Sequence, residues 1–324
     1  MSLNQKIRTE IEKTGKILIA SHQNPEGDAL GAGLALYHHF RKNKKIQVFN
    51  QDPIPYFLAF LPGADKIIHR LDRIQTDFKL VIAVDCTDLE RVSEKFPAFV
   101  QGKRIINIDH HETNKRFGAL NLVHAKASST GEIIFKLLAG SGKKISKEIA
   151  TCLYTAVMMD TGSFRYSNTT SATLEVASQL VALGAKPGEI AKQVYENQPR
   201  NWLKLLSLVL QSFNLSETGE RAELTLNQGM LNKTGAGKEM SEGMINYLMM
   251  ISGVEVGILY RQLDKNKYKV SFRSRGKINV AKLSESLGGG GHAQAAGATM
   301  NGGLEEIKKL VRARVDQLLA QKGK

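Results

Sequence analysis

The first half of the chain alternates short apolar runs with longer segments in which apolar residues recur at helical spacing. The runs KILIASH, IQVFN, KLVIAVDC, RIINIDHH and ALNLVHA have the length and composition of β-strands. GDALGAGLALYHHFRKN, between the first two runs, has the pattern of a helix. Strands that alternate with helices predict a parallel sheet covered on both faces, where each strand is apolar along its whole length.

After Ala125 the pattern becomes helical and then changes again. Four helical segments follow, SSTGEIIFKLLAG, SKEIATCLYTAVMMDTG, SATLEVASQLVALG and PGEIAKQVYENQ, and the first three have Ser or Thr at the N-cap position. NWLKLLSLVLQSF predicts a helix that leads out of this domain, and ERAELTLNQ, VEVGILYRQL and YKVSFRSR predict strands beyond it. We therefore predict an α/β domain with a parallel sheet over residues 1–195, a helical linker over 196–213 and a smaller α+β domain over 214–324.

Composition narrows the class of protein. The chain is 42% hydrophobic and 23% charged, as in ordinary globular proteins, and no run approaches the roughly 18 apolar residues of a membrane span. The charged N-terminus lacks the apolar stretch of a signal peptide. The two cysteines lack CxxC spacing, which argues against a disulfide framework and a thiolate zinc site. We expect a cytoplasmic protein without a membrane partner. The net charge of +14 favours anionic partners, although the basic residues are spread over the chain.

Side chains that commonly bind metals follow several predicted strands and one helix. They are His22, Glu26 and Asp28 in SHQNPEGDALG, Asp85 in VIAVDC, Asp109, His110 and His111 in IINIDHHE, and Asp160 in MMDTGSF. In an open α/β sheet, ligands bind outside the carboxyl ends of the strands, where these segments would converge. Carboxylates and imidazoles without thiolates suit Mn²⁺ or Mg²⁺ better than structural zinc.

Each of these residues also has an ordinary explanation. Asp28 could cap the following helix, and Asp85 could be a turn residue at the end of a strand. Consecutive side chains of a strand point to opposite faces, so at most one of His110 and His111 should face a given ion. Four such clusters at the ends of separate elements are nevertheless hard to explain as caps, and together they predict a metal site.

In this order, the motifs resemble those of the DHH/DHHA1 phosphoesterase superfamily, in its bifunctional oligoribonuclease/pAp phosphatase (nanoRNase) branch. The resemblance rests on HQNPEGDALGAG, VDCTD, NIDHH, MMDTGSFRYSNTT and VSFRSRGKINVAKLSESLGGGGHAQAAGA, which extend from His22 to Gly297. It implies a DHH domain followed by a DHHA1 domain, with the active site in the cleft between them. It also leaves room for a homodimer.

The resemblance implies a site for two divalent cations, Mn²⁺ first, with Mg²⁺ or Co²⁺ as alternatives. His22, Glu26 and Asp85 would hold one ion, and Asp28, Asp85, His110 and Asp160 would hold the other. Asp85 would then bridge the ions, Asp109 would support the site, and His111 would face the substrate phosphate or the leaving oxygen. The family usually has Asp where this chain has Glu26, so the first ion is expected to be held more loosely or with different selectivity.

Near the C-terminus, the resemblance assigns substrate binding to five residues: Arg273, Ser274, Gly290, Gly291 and His292. Arginine can bind phosphate through two parallel hydrogen bonds, and glycines allow backbone N–H groups to approach a phosphate closely. Taken alone, the run of four glycines would also fit a flexible loop.

The implied activity is the metal-dependent hydrolysis of oligoribonucleotides of two to five nucleotides to mononucleotides, with release of phosphate from 3′-phosphoadenosine 5′-phosphate as a second reaction. Short single-stranded RNA or nucleotides would be the partners. The alternative is a phosphodiesterase of cyclic or linear dinucleotides such as c-di-AMP or pApA. A non-catalytic nucleotide-binding protein is a third interpretation, supported by Glu26 alone.

Overall fold

The computed structural model describes residues 1–321 of the chain. The chain divides into two compact units, Met1–Asn197 and Gln198–Lys324. Each unit has its own six-stranded sheet and its own hydrophobic core. Within residues 1–321, no helix is both long enough and apolar enough to cross a membrane.

The sheet of the first unit is entirely parallel, which confirms the predicted fold class. Its strands are β1 (Lys16–Ser21), β2 (Lys45–Phe49), β3 (Ile67–Ile68), β4 (Leu80–Val84), β5 (Arg104–Asp109) and β6 (Leu120–Val123). They lie in the order β3-β2-β1-β4-β5-β6. The chain therefore builds outward from β1 in one direction and from β4 in the other. The crevice at the carboxyl ends of β1 and β4 is where open α/β sheets bind ligands.

Helices surround this sheet. They are α1 (Leu3–Lys13), α2 (Gly27–Phe40), α3 (Phe96–Phe99), α4 (Thr130–Ala139), α5 (Lys147–Asp160), α6 (Ser171–Ala182) and α7 (Pro187–Tyr195). As predicted, α4 and α5 begin after capping serines, Ser129 and Ser146, each of which accepts a hydrogen bond from a backbone N–H of the first turn. The cap of α6 is Thr170, one residue before the predicted segment, and Ser171 is the first residue of the helix.

Close packing of α2 against α5 depends on a glycine. A Cβ added at Gly31 would lie 2.3 Å from the carbonyl oxygen of Cys152. Gly33 has no such requirement, because its nearest neighbour would be an atom of Ile19 at 3.6 Å. Gly31 thus brings α2 against the backbone of α5, and these two helices carry Asp28 and Asp160.

The second unit has a mixed sheet between helices. Its elements are α8 (Arg200–Leu210), β7 (Asn214–Leu215), β8 (Arg221–Leu226), α9 (Gln228–Thr234), β9 (Val256–Asp264), β10 (Lys267–Ser274), α10 (Val280–Glu285), β11 (Gly290–His292), β12 (Ala295–Asn301) and α11 (Leu304–Gln321). The strand order is β11-β12-β10-β9-β8-β7, and β8 and β9 are the parallel pair. The helix predicted from NWLKLLSLVLQSF is α8, and it buries Leu205, Leu206 and Val209 in a core that includes Leu224 of β8.

Candidate functional site

His22 and Asp85 meet at the crevice between β1 and β4. His22 directly follows β1 and Asp85 directly follows β4, and His22 Nε2 lies 3.4 Å from Asp85 Oδ2. Asp85 has a left-handed backbone with φ of 54°, a conformation that aspartate adopts more readily than most residues. His22 Nδ1 lies 2.8 Å from the Gln23 carbonyl oxygen. Because a carbonyl oxygen can only accept a hydrogen bond, Nδ1 is the donor. This bond fixes the ring so that Nε2 is the nitrogen that faces Asp85.

Asp28, His110 and Asp160 form a second set of potential ligands from α2, the end of β5 and the end of α5. One ligand atom from each lies within 4.8 Å of the other two. His110 Nε2 lies 3.3 Å from Asp160 Oδ2 and 3.7 Å from Asp28 Oδ2. It also lies 3.8 Å from Asp85 Oδ1. One oxygen of Asp85 therefore faces His22 and the other faces this set, as a bridging carboxylate would.

The other two residues of the predicted catalytic group, Asp109 and His111, lie beside Asp85. One ligand atom each from Asp85, Asp109 and His111 forms another group within 4.8 Å. Asp109 is fully buried, and its Oδ1 accepts hydrogen bonds from the His110 N–H at 2.8 Å and from His111 Nδ1 at 2.7 Å. Asn114 Nδ2 donates to Asp109 Oδ2 at 2.5 Å. Asp109 thus orients both histidines.

The expectation that only one of His110 and His111 faces a given ion assumed that both residues lie in a strand, and this assumption is wrong. Strand β5 ends at Asp109, so strand alternation does not govern the next two residues. His110 Nε2 and His111 Nδ1 lie 3.8 Å and 3.6 Å from the same oxygen of Asp85.

Crowding of the carboxylates shapes their protonation. Burial, followed by the charges of Asp85 and Asp160, raises the pKa of Asp28 well above its usual range. Burial raises the pKa of Asp160 to about 6, and the Asp85 carboxylate reinforces the shift against the opposing effect of His110. Burial would also raise the pKa of Asp85, but the hydrogen bond with His22 and the nearby imidazoles lower it below its usual range. Asp85 is therefore ionised, and the two other carboxylates resist ionisation next to it.

His111 has the opposite shift. Burial disfavours its charged form, but the hydrogen bond to Asp109 and the charges of Asp109 and Asp85 raise its pKa to about 9. At neutral pH its ring is therefore an imidazolium that can donate a proton.

These residues fit divalent cations. The two sets contain carboxylate oxygens and imidazole nitrogens, the ligands that Mn²⁺ and Mg²⁺ accept, and a cation would relieve the repulsion that raises the pKa of Asp28 and Asp160. Glu26 differs from the other predicted ligands. It is the exposed N-cap residue of α2, its side chain makes no capping hydrogen bond, and it belongs to no group of potential ligands found in residues 1–321.

The sequence did not reveal the residues that hold the carboxylates in place. Both oxygens of Asp28 accept backbone hydrogen bonds at the N-terminus of α4, from Thr130 at 2.7 Å and Gly131 at 2.8 Å. Asn168 Nδ2 donates to the carbonyl oxygens of Ser128 at 3.0 Å and Asp160 at 3.1 Å. The N-cap signal of SSTGE predicted where α4 begins, but it did not indicate that α4 begins against Asp28.

In the second unit, all five predicted substrate-binding residues lie on β10 and β11, the two strands that flank β12. Arg273 of β10 and His292 of β11 both pair with Ala295 of β12, so all three side chains project from one face of the sheet. Arg273 Nε is buried and makes no hydrogen bond to any atom of residues 1–321, whereas Nη1 of the same side chain donates to the Phe272 carbonyl oxygen at 3.2 Å. Gly290 pairs two positions further along β12, with Gly297.

Ser274 and Gly291 have structural explanations of their own. Ser274 is buried on the face opposite Arg273, and its hydroxyl accepts a hydrogen bond from the Gly276 N–H at 3.0 Å. Gly291 has a φ of 141°, and a Cβ there would lie 2.5 Å from the Ala295 carbonyl oxygen. A Cβ at Gly290 would meet no atom within 4 Å, so the packing described here does not require a glycine at that position.

Comparison with known proteins agrees with the two units. Residues 16–157 match the N-terminal domain of the DHH family, and residues 225–321 match the DHHA1 domain. The bifunctional oligoribonuclease and PAP phosphatase NrnA of Thermus thermophilus is 33% identical over 95% of this chain and 92% of its own length. A cyclic-di-AMP phosphodiesterase, GdpP of Geobacillus thermodenitrificans, is 27% identical, but the match covers only 47% of that protein.

Among solved structures, an exopolyphosphatase-related protein from Bacteroides fragilis superposes with a TM-score of 0.90 and 29% identity. That match covers 99% of this chain and 98% of the other. The two matched domains, together with the relative from Thermus thermophilus, show the family, and the clustered aspartates and histidines agree with it. The chain belongs to the DHH family of phosphoesterases, in the branch of the bifunctional oligoribonucleases and PAP phosphatases.

Proposed function

We propose that this protein hydrolyses phosphodiester bonds of oligoribonucleotides of two to five nucleotides and removes phosphate from 3′-phosphoadenosine 5′-phosphate. The observation that carries the proposal is the position of Asp85, with one oxygen toward His22 and the other toward Asp28, His110 and Asp160. The similarity to a bifunctional oligoribonuclease and PAP phosphatase over nearly the whole chain supports the choice of substrates.

The proposed resident ions are two divalent cations, with Mn²⁺ first because the ligands are all carboxylate or imidazole. His22, Glu26 and Asp85 would hold one, and Asp28, Asp85, His110 and Asp160 the other. Such a pair lowers the pKa of a water and stabilises the attacking and leaving oxygens of an in-line displacement.

The residues of the chain supply the rest of the chemistry. His111, with a pKa of about 9, carries the proton that the leaving oxygen needs when the P–O bond breaks. Asp109 accepts the Nδ1 proton of His111, which fixes the ring orientation and stabilises the imidazolium. In the second unit, Arg273 would bind a phosphate of the substrate, with Ser274, Gly290, Gly291 and His292 as its supporting residues.

A turnover panel with Mn²⁺ tests the proposal. Purified protein is given an RNA dinucleotide, an RNA pentamer, pAp and c-di-AMP, and the products are separated by chromatography. We expect mononucleotides from the RNAs and AMP from pAp. The Asp85→Asn variant should be inactive, since asparagine keeps the size and backbone tolerance of aspartate without its charge. A clear preference for c-di-AMP would favour the dinucleotide phosphodiesterase instead, and full activity of the variant would exclude the two-metal mechanism.

A further inference from the structure

Helix α4 begins directly against two of the proposed metal ligands. The first N–H groups of any helix lack partners within the helix. Here the N–H groups of Thr130 and Gly131 donate to Asp28, one to each carboxylate oxygen. The side chain of Thr130 adds a third bond, because its Oγ1 donates to Asp85 Oδ1 at 3.1 Å. A single residue therefore holds Asp28 through its backbone and Asp85 through its hydroxyl.

The choice of oxygen on Asp85 makes this contact specific. Oδ2 faces His22, whereas Oδ1, which accepts from Thr130, faces His110. The acceptor of the Thr130 N–H is Asp28 Oδ2, which also faces His110. Thr130 thus acts on the side of Asp85 where Asp28, His110 and Asp160 lie, and not on the side of His22.

The start of α4 is itself fixed by side chains of α4, of α6 and of the segment that precedes α6. The buried carboxylate of Glu132 accepts hydrogen bonds from the Ser128 N–H at 3.0 Å and the Ser128 hydroxyl at 2.7 Å. Thr173 of α6 donates to the same oxygen at 3.3 Å. Asn168 holds the Ser128 carbonyl group. Because the backbone of Thr130 is held by these contacts, its hydroxyl has a fixed position and can orient the carboxylate of Asp85. A mobile hydroxyl would instead adjust to the carboxylate.

We propose that Thr130 is a positioning residue that orients the bridging carboxylate of Asp85 toward the cation held by Asp28, His110 and Asp160. The inference rests on the proposed two-metal site and deepens it. Removal of the hydroxyl leaves every ligand in place but frees the side chain of Asp85 to rotate. Loss of such a supporting hydrogen bond costs roughly 10- to 100-fold in metal affinity or activity.

Three substitutions separate the hydroxyl from the packing of this fully buried residue. Thr130→Val replaces the hydroxyl by a methyl group and keeps the shape of the side chain. Thr130→Ala removes both the hydroxyl and the γ-methyl group, and Thr130→Ser removes the methyl group but keeps the hydroxyl. Thr155→Val is the matched control. Thr155 is also fully buried, on α5, but its hydroxyl donates to the Thr151 carbonyl oxygen within the helix.

The experiment is a titration of the full-length, metal-free proteins with MnCl₂, without substrate, followed by calorimetry and by the electron paramagnetic resonance of free Mn²⁺. Thermal unfolding in EDTA checks that each variant is folded. We expect wild type to bind two ions. Thr130→Val and Thr130→Ala should lose 10- to 100-fold in affinity for one of them, and Thr130→Ser and Thr155→Val should stay within threefold of wild type.

Several results would overturn the inference. Wild-type affinity in Thr130→Val and Thr130→Ala would show that the hydroxyl is not needed. An equal loss in Thr130→Ser would assign the effect to packing. A wild-type protein that binds no Mn²⁺ would overturn this inference together with the two-metal site. A wild-type protein that binds two ions and cleaves none of the four substrates would overturn only the proposed function, and the comparison of the Thr130 variants would still decide the role of the hydroxyl.

Discussion

Replacing Gly131 by alanine should weaken both the fold and the site, because there is no room for a Cβ where α4 meets α5. An added Cβ would lie 2.6 Å from the Cβ of Ala156 and 3.3 Å from Asp28 Oδ1. Carbon atoms prefer roughly 3.5–4.0 Å, so the N-terminus of α4 must move by about 1 Å. Overpacking of this kind costs about 1–3 kcal/mol, and alanine recovers up to about 1 kcal/mol of that through its helix propensity. We expect a net destabilisation of about 1–2 kcal/mol.

The same movement would damage the site. The Gly131 N–H lies 2.8 Å from Asp28 Oδ1, and a shift of about 1 Å takes that bond beyond the usual limit of about 3.2 Å. Turnover should fall by roughly tenfold or more, since misplacement by about 1 Å can cost 100-fold in an enzyme. Urea unfolding and Mn²⁺ titration of Gly131→Ala measure the two effects separately.

Two further variants test the cause. Gly188→Ala is the matched control, since Gly188 lies in the first turn of α7 and a Cβ there meets no atom within 4 Å. It should be neutral or slightly stabilising. Ala156→Gly removes the methyl group that the new Cβ would strike, so the double variant with Gly131→Ala should show a favourable coupling of about 1 kcal/mol or more. Gly131→Ala with wild-type stability and wild-type Mn²⁺ affinity, or a cycle without coupling, would refute this reasoning.

Three other predictions concern the metal ligands and the substrate. Glu26→Gln should weaken the binding of one Mn²⁺ measurably, with Glu94→Gln, another exposed glutamate, as the control; equal affinity in both would remove Glu26 from the ligand set. Asp28 and Asp160 have pKa values raised above those of the unfolded chain, so the metal-free fold loses stability as pH rises from about 4 through about 6, and a cation offsets that loss. The gain in Tm on adding Mn²⁺ should therefore be larger at pH 7.5 than at pH 5.0 by differential scanning fluorimetry, and a gain that does not grow with pH would contradict the assigned protonation. Arg273→Ala should mainly raise KM for the RNA dinucleotide while kcat changes little, if the side chain binds ground and transition states alike; a fall in kcat at unchanged KM would instead give Arg273 a role in the transition state.

The sequence predicted the first unit well because its pattern is unambiguous. Strand β4 is buried along its whole length, and its apolar run reads directly as a strand covered on both faces. Strand β3 escaped prediction because a two-residue pairing leaves no periodic signal. The hairpin of β11 and β12 escaped because its first strand is GGH, whose conformation depends on cross-strand contacts and on the positive φ of Gly291.

The candidate ligands could be read from strand ends, but their supports could not. His22 and Asp85 follow strands β1 and β4, so the topology brings them together once the sheet is assumed. The donors to Asp28 are backbone N–H groups, which every residue except proline has. The packing of α4 beside α2 and α5 determines which N–H groups these are. That packing depends on Gly131, which from the sequence alone would only be expected to destabilise a helix.

The same contacts explain how three carboxylates can lie together before any cation is bound. Asp28 has the N-terminus of α4, where two N–H groups and the helix dipole favour negative charge. Asp85 has the Thr130 hydroxyl and the imidazoles of His22 and His111. For Asp160, the neighbour within 4 Å that can carry positive charge is His110, and Asn168 binds its carbonyl group and not its carboxylate. Hydrogen bonds from the fold therefore hold Asp28 and Asp85 in place, whereas the negative charges of Asp28 and Asp160, whose pKa values are raised, depend on the arrival of the cation.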